Sequence, residues 1–459
     1  MTDPQRLGED FPGLLRVQDR AKAHPEERFT SLAHHLTPEL LLWSYQQLDG
    51  KAAPGIDGVS KEEYGRNLSE NISDLHDRLK SGKYRATPVK RVYIDKPGGG
   101  RRPLGLPTVE DKIVQGAVVA VLNSIYENDF KGFSYGFRPG RSAHQALRSL
   151  QTVLQKGRVN WVLDADLSKF FDTIDHKELR SALQRRVTDS RLLRLIGKWL
   201  AAGVVEEDGR RIREKRGVPQ GGVISPLLAN IFLHYALDEF FHQWRKTNSS
   251  GEVYIVRYAD DFVICFENAQ DAKALLQALE ERFAGYGLGL NRDKTRLIRF
   301  GRQWGKQGRA KSETFDFLGF THFVGKSRSG AFLVKRKTSR SRLRRSLISI
   351  NDWCRRHLQL PLWWQWKELN RKLTGHYNYY GVRGNYASLS NFRAKAFDIW
   401  LKWLRRRSRQ CNKLKLIALL RSRYDLRRPK ITHPEGWFSF NPGDLLGRAG
   451  CGNSARPDL

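Results

Sequence analysis

The sequence predicts an α+β protein in which a body of alternating strands and helices is followed by a helical C-terminal region. Residues 81–300 alternate strand-like runs with longer segments of helical periodicity. Beyond residue 335, apolar residues recur at helical spacing in three segments. The chain has 459 residues, which is enough for two or three domains with a sizeable core.

The remaining segments follow this outline in order. Residues 1–24 are polar, and we expect them to be loosely ordered. Residues 25–80 are predicted to be mainly helical. Residues 301–312 are polar and Gly-rich, which indicates a loop or linker, and a pair of strands is predicted at about 315–323 and 331–334.

Two adjacent carboxylates, Asp260 and Asp261, stand in a short polar break between two β-rich runs within residues 253–266. This pattern predicts a hairpin with both acids at its tip. Adjacent carboxylates repel each other and resist desolvation, so the arrangement is favourable only when a cation or hydrogen-bond donors neutralise it. Mg²⁺ prefers carboxylate and phosphate oxygens and would fit. An isolated Asp-Asp pair is more often a solvated turn, so the other motifs must decide.

A second acidic site ends an apolar strand at Asp166, and Ser168 is expected to cap a following helix. If Asp166 and the hairpin tip meet at one end of a sheet, their carboxylates can hold two divalent ions for an in-line displacement at phosphorus. From the residues alone, it is at least as reasonable to interpret Asp164, Asp166 and Asp172 as ordinary strand-end and capping residues.

A Gly-rich segment, residues 216–224, precedes a predicted helix that is expected to run to about Trp244. Ser225 is the expected N-cap, and Pro226 suits the first helical position. Glycines ahead of a helix allow a nucleotide and a template to approach closely. The expected buried positions of the helix are Leu228, Ile231, Phe232, Tyr235 and Phe240.

These three segments follow one another in an order that resembles motifs A, B and C of reverse transcriptases. The similarity is closest to group II intron-encoded reverse transcriptases, also called maturases, and it extends over roughly residues 25–430. Further stretches similar to that family are Ala53–Gly58, Lys96–Pro107, Gly136–Ser142, Phe315–Phe320 and Leu369–Gly381. The last of these resembles the maturase domain and distinguishes the chain from retroviral enzymes.

The resemblance implies a right-hand polymerase. Its expected parts are an N-terminal extension at 1–80, fingers and a palm with a ferredoxin-like sheet at 81–325, a helical thumb or maturase X domain at 336–430, and a tail at 431–459 that is a candidate remnant of a DNA-binding region. Because few residues follow Lys430, we expect the HNH endonuclease of many family members to be absent. That departure favours a bacterial subclass, such as class C, that uses single-stranded or opened DNA targets.

The resemblance also implies the catalytic roles. Asp166, Asp260 and Asp261 would be the catalytic ligands of two Mg²⁺ ions, with a backbone oxygen near Leu167 as an additional ligand. Phe171 would lie beneath the incoming sugar and exclude a 2′-hydroxyl, which would select dNTPs. Its neighbour Phe170 is the residue expected to be buried.

Further residues are implied to bind the nucleotide. Lys96 and Arg102 flank a Gly-rich hairpin tip and would neutralise the triphosphate, and Arg91 is a weaker candidate. Gln220 would lie near the nucleotide. The acids Asp164 and Asp172 are interpreted as structural.

The charge of the chain is strongly uneven. It carries 81 Lys and Arg against 48 Asp and Glu, a net charge of +33, which indicates a polyanionic partner and fits nucleic acid better than a membrane. Residues 301–459 hold 35 Lys and Arg against 9 Asp and Glu, or +26, which leaves +7 for residues 1–300. By resemblance, the basic region would grip the template–primer duplex and intron RNA. The arginines selected as nucleic-acid ligands are Arg340, Arg344, Arg345, Arg405, Arg406 and Arg407.

Cysteine usage and the termini bear on the cellular compartment. Cys265, Cys354, Cys411 and Cys451 are widely separated, which argues against a zinc site and favours a reduced, cytoplasmic protein. The family resemblance implies that the protein is bacterial. The N-terminus lacks the pattern of a signal peptide, and no apolar run of about 20 residues predicts a membrane span.

The leading functional interpretation is an RNA-dependent DNA polymerase that copies group II intron RNA and also binds it to assist splicing and retrohoming. Its expected partners are intron RNA, an RNA template with a DNA primer, target DNA and dNTPs. A splicing-only maturase and a domesticated, retron-like or defence-associated reverse transcriptase are the alternatives. The intact aspartates argue against the first alternative, and the long helical region argues against the second. Whether the protein is a monomer or a homodimer is left open.

Overall fold

The computed structural model describes residues 9–95, 100–212, 216–304, 310–327, 329–407 and 412–433. The chain divides into two compact units. The first unit contains the described residues up to Val153 together with Trp161–Leu297. The second contains Leu154–Asn160 and the described residues from Ile298 onward. None of the described helices is both long and apolar enough to cross a membrane.

The described elements alternate in the first unit and are mainly helical in the second. Strands β1 to β11 are Val89–Asp95, Arg101–Leu106, Trp161–Asp166, Val204–Val205, Arg211–Ile212, Val253–Tyr258, Asp261–Phe266, Arg296–Arg299, Phe315–Phe317, Phe320–Lys326 and Phe332–Thr338. The α-helices are Pro12–Ala23, Pro38–Gln47, Lys61–Tyr64, Leu68–Lys80, Val109–Asp129, Ala143–Lys156, Phe170–Thr173, His176–Gln184, Ser190–Ala201, Ser225–Leu233, Glu239–Asn248, Ala269–Gly285, Arg340–Arg356, Leu362–Tyr380, Tyr386–Arg407 and Lys413–Arg423.

The sheet that carries the predicted acids has the strand order β6-β7-β3-β8. Strands β6 and β7 form the expected antiparallel hairpin, in which Tyr258 pairs with Asp261. β7 also pairs antiparallel with β3. From Phe262 to Phe266, β7 is buried on both of its faces, which explains why it is apolar at successive positions instead of alternating. The two hairpin strands and β3 therefore form a rigid, buried platform for the residues at their ends.

A second sheet of the first unit has the order β2-β1-β4-β5. β1 pairs antiparallel with β2, from Lys90 opposite Leu106 to Asp95 opposite Arg101. β1 pairs parallel with the short strand β4 on its other side. The β1–β2 pair is the expected hairpin around the Gly-rich tip.

The helix after the Gly-rich segment differs from its prediction at both ends. Ser225 is the first helical residue and not the N-cap, which is Ile224, and the Ser225 hydroxyl donates to the Pro219 carbonyl at 2.7 Å. After Leu233 a π-helical segment, His234–Asp238, leads into a helix that ends at Asn248. The offset that this segment introduces leaves Phe240 only partly buried, contrary to expectation, and turns Phe241 inward.

Two local expectations near the N-terminus and motif A were wrong. Within the described part of residues 1–24, Pro12–Ala23 is a helix that buries Leu14, Val17 and Ala21. Its apolar residues repeat at the spacing of one helix face, and the polar composition hid that repeat. Ser168 does not cap the following helix, because Lys169 is the N-cap residue and no side chain accepts a hydrogen bond there.

The second unit combines a three-stranded sheet, in the order β11-β10-β9, with helices. The three predicted helical stripes are confirmed by the helices that begin at Arg340, Leu362 and Tyr386. Trp400 fills the centre of their core at 0 % exposure, and its indole nitrogen donates to Gln365 Oε1 at 2.9 Å. A fourth helix, Lys413–Arg423, was not predicted, because only Leu420 of its side chains is buried.

Candidate catalytic site

The three predicted acids meet at one end of the first-unit sheet. Asp166 is the last residue of β3 and lies directly opposite Asp261, the first residue of β7. Asp260 occupies the turn between β6 and β7, next to Ala259, whose φ of 57° is in the left-handed region. The expectation that the strand-end acid and the hairpin acids lie at the same end of one sheet is confirmed.

The surroundings of Asp260 in the turn disfavour its ionised form. Burial raises the pKa of Asp260 above its ordinary value, and the negative charge of Asp166 raises it further. Arg102 and Arg257 act in the opposite direction but do not reverse the shift. A group of carboxylates in which one has a raised pKa is the environment that a divalent cation with a preference for oxygen ligands would stabilise.

Lys294 supplies a cation to this acidic group. Its Nζ lies 2.8 Å from Oδ2 of Asp166, while the backbone nitrogen of Asn291 donates to the Asp166 carbonyl at 2.8 Å. In the part of the chain that the structure describes, no three His, Cys, Asp or Glu side chains converge closely enough to form a metal-binding group. Asp166, Asp260 and Asp261 therefore have the residue type and the strand register that a Mg²⁺ site needs, but in this structure their side chains do not converge on one point and the carboxylate of Asp166 is paired with the ammonium of Lys294.

Arg102 and Gln220 are brought together beside this group. Arg102 Nε donates to Gln220 Oε1 at 2.7 Å, and the amide nitrogen of Gln220 lies 3.4 Å from Asp172 Oδ1. The backbone nitrogen of Gly105 donates to the Gln220 carbonyl at 2.6 Å, which fixes the Gly-rich loop on β2. Asp172, which was interpreted as structural, is therefore part of the same polar chain.

Glycine is required where this loop meets β2. Gly221 has a φ of 112°, and a Cβ there would overlap the carbonyl oxygen of Gly105. The loop also contacts motif A, since the Val218 nitrogen donates to the Phe171 carbonyl at 2.8 Å. The loop is thus held from two sides.

Of the two phenylalanines of motif A, Phe170 is the buried one, as predicted, whereas the role of Phe171 at the sugar stays a prediction. Phe170 is 2 % exposed, whereas Phe171 is only partly buried and lies beside the Gly-rich loop. Their ring centroids are 5.3 Å apart in an edge-on arrangement. Leu167 is buried, and its backbone is bridged to Leu290.

The other predicted nucleotide ligands have mixed outcomes. Lys96 lies outside the described residues. The guanidinium of Arg91 is 3.5 Å from Glu206, which also accepts a hydrogen bond from Tyr93, so Arg91 is held within its own sheet. Asp164 is paired with Arg296 at 3.5 Å.

The six predicted nucleic-acid arginines are exposed on helices of the second unit. Among the described residues, none of the six forms an ion pair with a carboxylate. Arg406 lies over the ring of Trp403 at 4.8 Å, and Arg407 donates to the Leu360 carbonyl at 3.3 Å. Their charges are accordingly available to a polyanion.

Sequence reasoning missed a buried set of polar residues beneath the hairpin. Arg257, Asp238 and Asn230 are each at most 1 % exposed, and Arg257 donates hydrogen bonds to both Asp238 and Asn230. The available signal was an arginine within the apolar run of β6, where an unpaired charge would be costly to bury.

Comparison with known proteins bears on these residues. A family described as "Reverse transcriptase (RNA-dependent DNA polymerase)" matches residues 94–322. The chain is 38% identical over 282 residues to Protein YkfC of Escherichia coli (strain K12), covering 54% of this chain and 73% of that protein.

Two further relatives have names that mention introns. The chain is 37% identical over 232 residues to the group II intron-encoded protein LtrA of Lactococcus lactis subsp. cremoris, which covers 50% of this chain and 38% of LtrA. It is 34% identical over 250 residues to the putative COX1/OXI3 intron 2 protein of Saccharomyces cerevisiae, with 53% and 29% covered. The chain therefore spans less than half the length of these two relatives.

Proposed function

Because the chain belongs to the group II intron-encoded reverse transcriptase and maturase family, we propose that it copies intron RNA into DNA by extending a DNA primer with dNTPs. The observation that carries this proposal is the pairing of Asp166 with Asp261 in register, with Asp260 in the adjoining turn. All three lie within the segment that matches the reverse transcriptase family. Carboxylates in this arrangement suit phosphoryl transfer with two metal ions.

The proposed metal ligands are Asp166, Asp260, Asp261 and the backbone at Leu167. Two bound Mg²⁺ ions would stabilise the charge that develops on the attacking and leaving oxygens. The protein itself would bind and orient the substrates. The raised pKa of Asp260 supports this proposal, because a bound cation would stabilise the ionised carboxylate that the surroundings disfavour.

The proposed nucleotide pocket is formed by Arg102, Gln220 and Phe171, with Lys96 as a further candidate. The contact between Arg102 and Gln220 at 2.7 Å joins a cation to an amide and supports the proposal that they bind the triphosphate and the base or sugar. The partly exposed ring of Phe171 would exclude a 2′-hydroxyl and select dNTPs.

In the right-hand arrangement that we propose, the β1–β2 hairpin belongs to the fingers and the sheet of β3, β6 and β7 to the palm. The helices that begin at Arg340, Leu362 and Tyr386 would form the thumb or maturase X domain. Two observations support this arrangement. The proposed fingers, palm and thumb follow one another along the chain, and strands mix with helices in the first two parts whereas the third is helical. The tail at 431–459, of which residues 434–459 lie outside the described residues, stays a candidate DNA-binding remnant.

We further propose that the basic second unit binds intron RNA and the template–primer duplex, so that the protein assists splicing and retrohoming into target DNA in the bacterial cytoplasm. The net charge of +26 over residues 301–459 supports this proposal. So do the exposed arginines at 340, 344, 345 and 405–407, which lack carboxylate partners among the described residues. Such a surface binds phosphates with release of counterions.

Primer extension on an RNA template with dNTPs and Mg²⁺ tests the polymerase proposal. We expect wild-type protein to synthesise DNA and Asp260→Asn or Asp261→Asn to lose that synthesis, while both variants keep RNA binding. Glu267→Gln, a partly buried acid at the opposite end of the hairpin, is the matched control and should remain active. Near wild-type rates in either aspartate variant would refute the assignment. Splicing stimulation without DNA synthesis by wild-type protein would favour the splicing-only alternative.

A further inference from the structure

Arg257 ends in a fully buried network directly beneath the turn that carries Asp260. Its side chain is 0 % exposed. Nε donates to Asp238 Oδ1 at 2.8 Å, and Nη2 donates to the second oxygen of the same carboxylate. Asp238 is likewise 0 % exposed. The pair is bidentate, which restricts the guanidinium to one orientation.

The remaining nitrogen of Arg257 holds the catalytic turn itself. Nη1 donates to the carbonyl of Ala259 and to Oδ1 of Asn230, both at 3.0 Å. Ala259 has a φ of 57°, a conformation that residues other than glycine seldom adopt and that persists only where the surroundings enforce it. The hydrogen bond from Arg257 is one such enforcing contact, and Ala259 immediately precedes Asp260.

A neighbouring segment closes the network from the other side. Asn230 Nδ2 donates to the Gly136 carbonyl at 2.7 Å. The Arg257 backbone nitrogen donates to the Phe133 carbonyl, and the Tyr135 nitrogen donates to the Arg257 carbonyl, each at 2.9 Å. A Cβ on Gly136 would overlap the backbone of Ala259. Residues 133–136 therefore pack against the turn with no spare room.

Fold stability alone is a weak reason for such a network. The net stabilisation from a buried ion pair is often no greater than that from a well-packed apolar pair, because both charges must be desolvated. Asp238 also lies in a π-helical segment, and such segments are frequent at functional sites. Both facts favour a role in fixing one conformation of the hairpin.

We propose that Arg257 is a positioning residue for catalysis. Together with Asp238 and Asn230, it fixes the backbone at Ala259 and thereby the placement of the Asp260–Asp261 carboxylates. This inference rests on the proposed polymerase function, to which it adds a residue that touches neither substrate nor metal.

The test compares Arg257→Lys with wild-type full-length protein. Lysine keeps the positive charge but cannot reach Asp238, Asn230 and Ala259 at once. We expect kcat for dNTP addition to fall about 10- to 100-fold, because a small misplacement of catalytic groups has a large effect on rate, with a smaller change in KM for dNTP. Mn²⁺ affinity, measured by electron paramagnetic resonance with Asp260→Asn as the baseline, should weaken severalfold. Asn230→Ala, which leaves the ion pair intact, should change both quantities in the same direction.

Arg186→Lys is the matched control. Arg186 is also buried, at 3 % exposure, is paired with Asp129 at 2.9 Å, and donates to backbone carbonyls of residues 21–27. We expect the Arg186→Lys variant to have a lower melting temperature than wild type and an unchanged Mn²⁺ affinity.

Wild-type kcat and Mn²⁺ affinity in Arg257→Lys would overturn the inference, and so would an equal loss in Arg186→Lys. If wild-type protein binds Mn²⁺ but adds no dNTP, the proposed function fails. The comparison of Mn²⁺ affinities would still decide the role of Arg257.

Discussion

The ammonium of Lys294 lies 2.8 Å from Oδ2 of Asp166, so the carboxylate that faces Asp261 across the sheet already has a cationic partner. Lys294 is 65% exposed and Asp166 36%, which makes the pair solvent-accessible and easily exchanged. Lysine and a metal ion would have to compete for the same oxygen atoms. At the proposed metal site, removal of Lys294 would therefore change metal binding directly.

The first prediction follows from that competition. Lys294→Met should lower the Mg²⁺ concentration that gives half-maximal DNA synthesis, because it removes the competing cation. Mg²⁺ titrations of primer extension at saturating dNTP measure this value. Lys273→Met, on an exposed position of the helix Ala269–Gly285, is the control and should leave it unchanged. An increase in the required Mg²⁺ for Lys294→Met would show that the lysine assists metal binding instead.

Sugar selection provides the second prediction. Phe171→Ala should raise the kcat/KM for rNTP relative to that for dNTP, because the ring would no longer exclude the 2′-hydroxyl. Phe170→Ala is the comparison, since its ring is buried at 2 % exposure. That variant should lose roughly 3–5 kcal/mol of stability. An unchanged rNTP-to-dNTP ratio in a folded Phe171→Ala protein would assign Phe171 to packing alone.

The third prediction concerns the basic second unit. Replacing Arg405, Arg406 and Arg407 by Gln should weaken RNA binding and reduce the dependence of log K on log[salt], by roughly 0.7–0.9 for each phosphate that the variant no longer neutralises. Filter binding across a salt series gives the slope. Splicing stimulation should suffer more than extension of a short primer.

A matched triple variant, Arg180→Gln with Arg191→Gln and Arg194→Gln, removes three exposed charges from the first unit. It should keep the wild-type slope. Equal slopes for all three proteins would mean that residues 405–407 are a solvated surface and that the RNA surface lies elsewhere.

A fourth prediction concerns acid stability. His322 is fully buried and stacked on Phe315, and neither ring nitrogen has a hydrogen-bond partner within the described residues. Burial lowers its pKa from 6.5 to about 3. Below pH 6.5 the unfolded chain therefore binds a proton that the folded chain does not. Stability should fall by about 2 kcal/mol between pH 7 and pH 5 from this residue alone.

His322→Phe should remove that contribution while keeping the ring stack. Thermal unfolding at pH 7 and pH 5 measures the difference, with the exposed His24→Phe as control. At pH 7 the variant should be at least as stable as wild type, because two unpaired nitrogens are no longer buried. An acid loss equal to that of wild type would exclude His322 as its source.

The sequence predicted those features of the fold and the site that depend on neighbouring residues, and it did not predict those that depend on contacts between distant segments. The hairpin at Asp260, the strand that ends at Asp166 and the three helical stripes beyond residue 335 each follow from short-range periodicity, and each was predicted. The contact of Asp172 with Gln220 and the ion pair of Lys294 with Asp166 depend on segments far apart in the chain. No spacing in the sequence encodes those distances.

The errors have a similar origin. The helix Pro12–Ala23 was missed because its polar composition outweighed three buried apolar residues. The capping predictions for Ser168 and Ser225 used residue preference alone, whereas the backbone nitrogen of Ser168 and the hydroxyl of Ser225 bond to Gly289 and Pro219 in the structure. Partners outside the helices thus overrode local preference.

The π-helical segment His234–Asp238 changes the direction in which the following side chains point, although the helix continues without a break from Ser225 to Asn248. Each residue of an α-helix advances the side-chain direction by about 100°, so an extra residue turns everything after it by roughly that angle. The residues before the segment can therefore point Asn230 at Gly136, while those after it turn Phe241 and Trp244 into the core. Deleting one residue here would leave composition and charge almost unaltered yet rotate one half of the helix against the other.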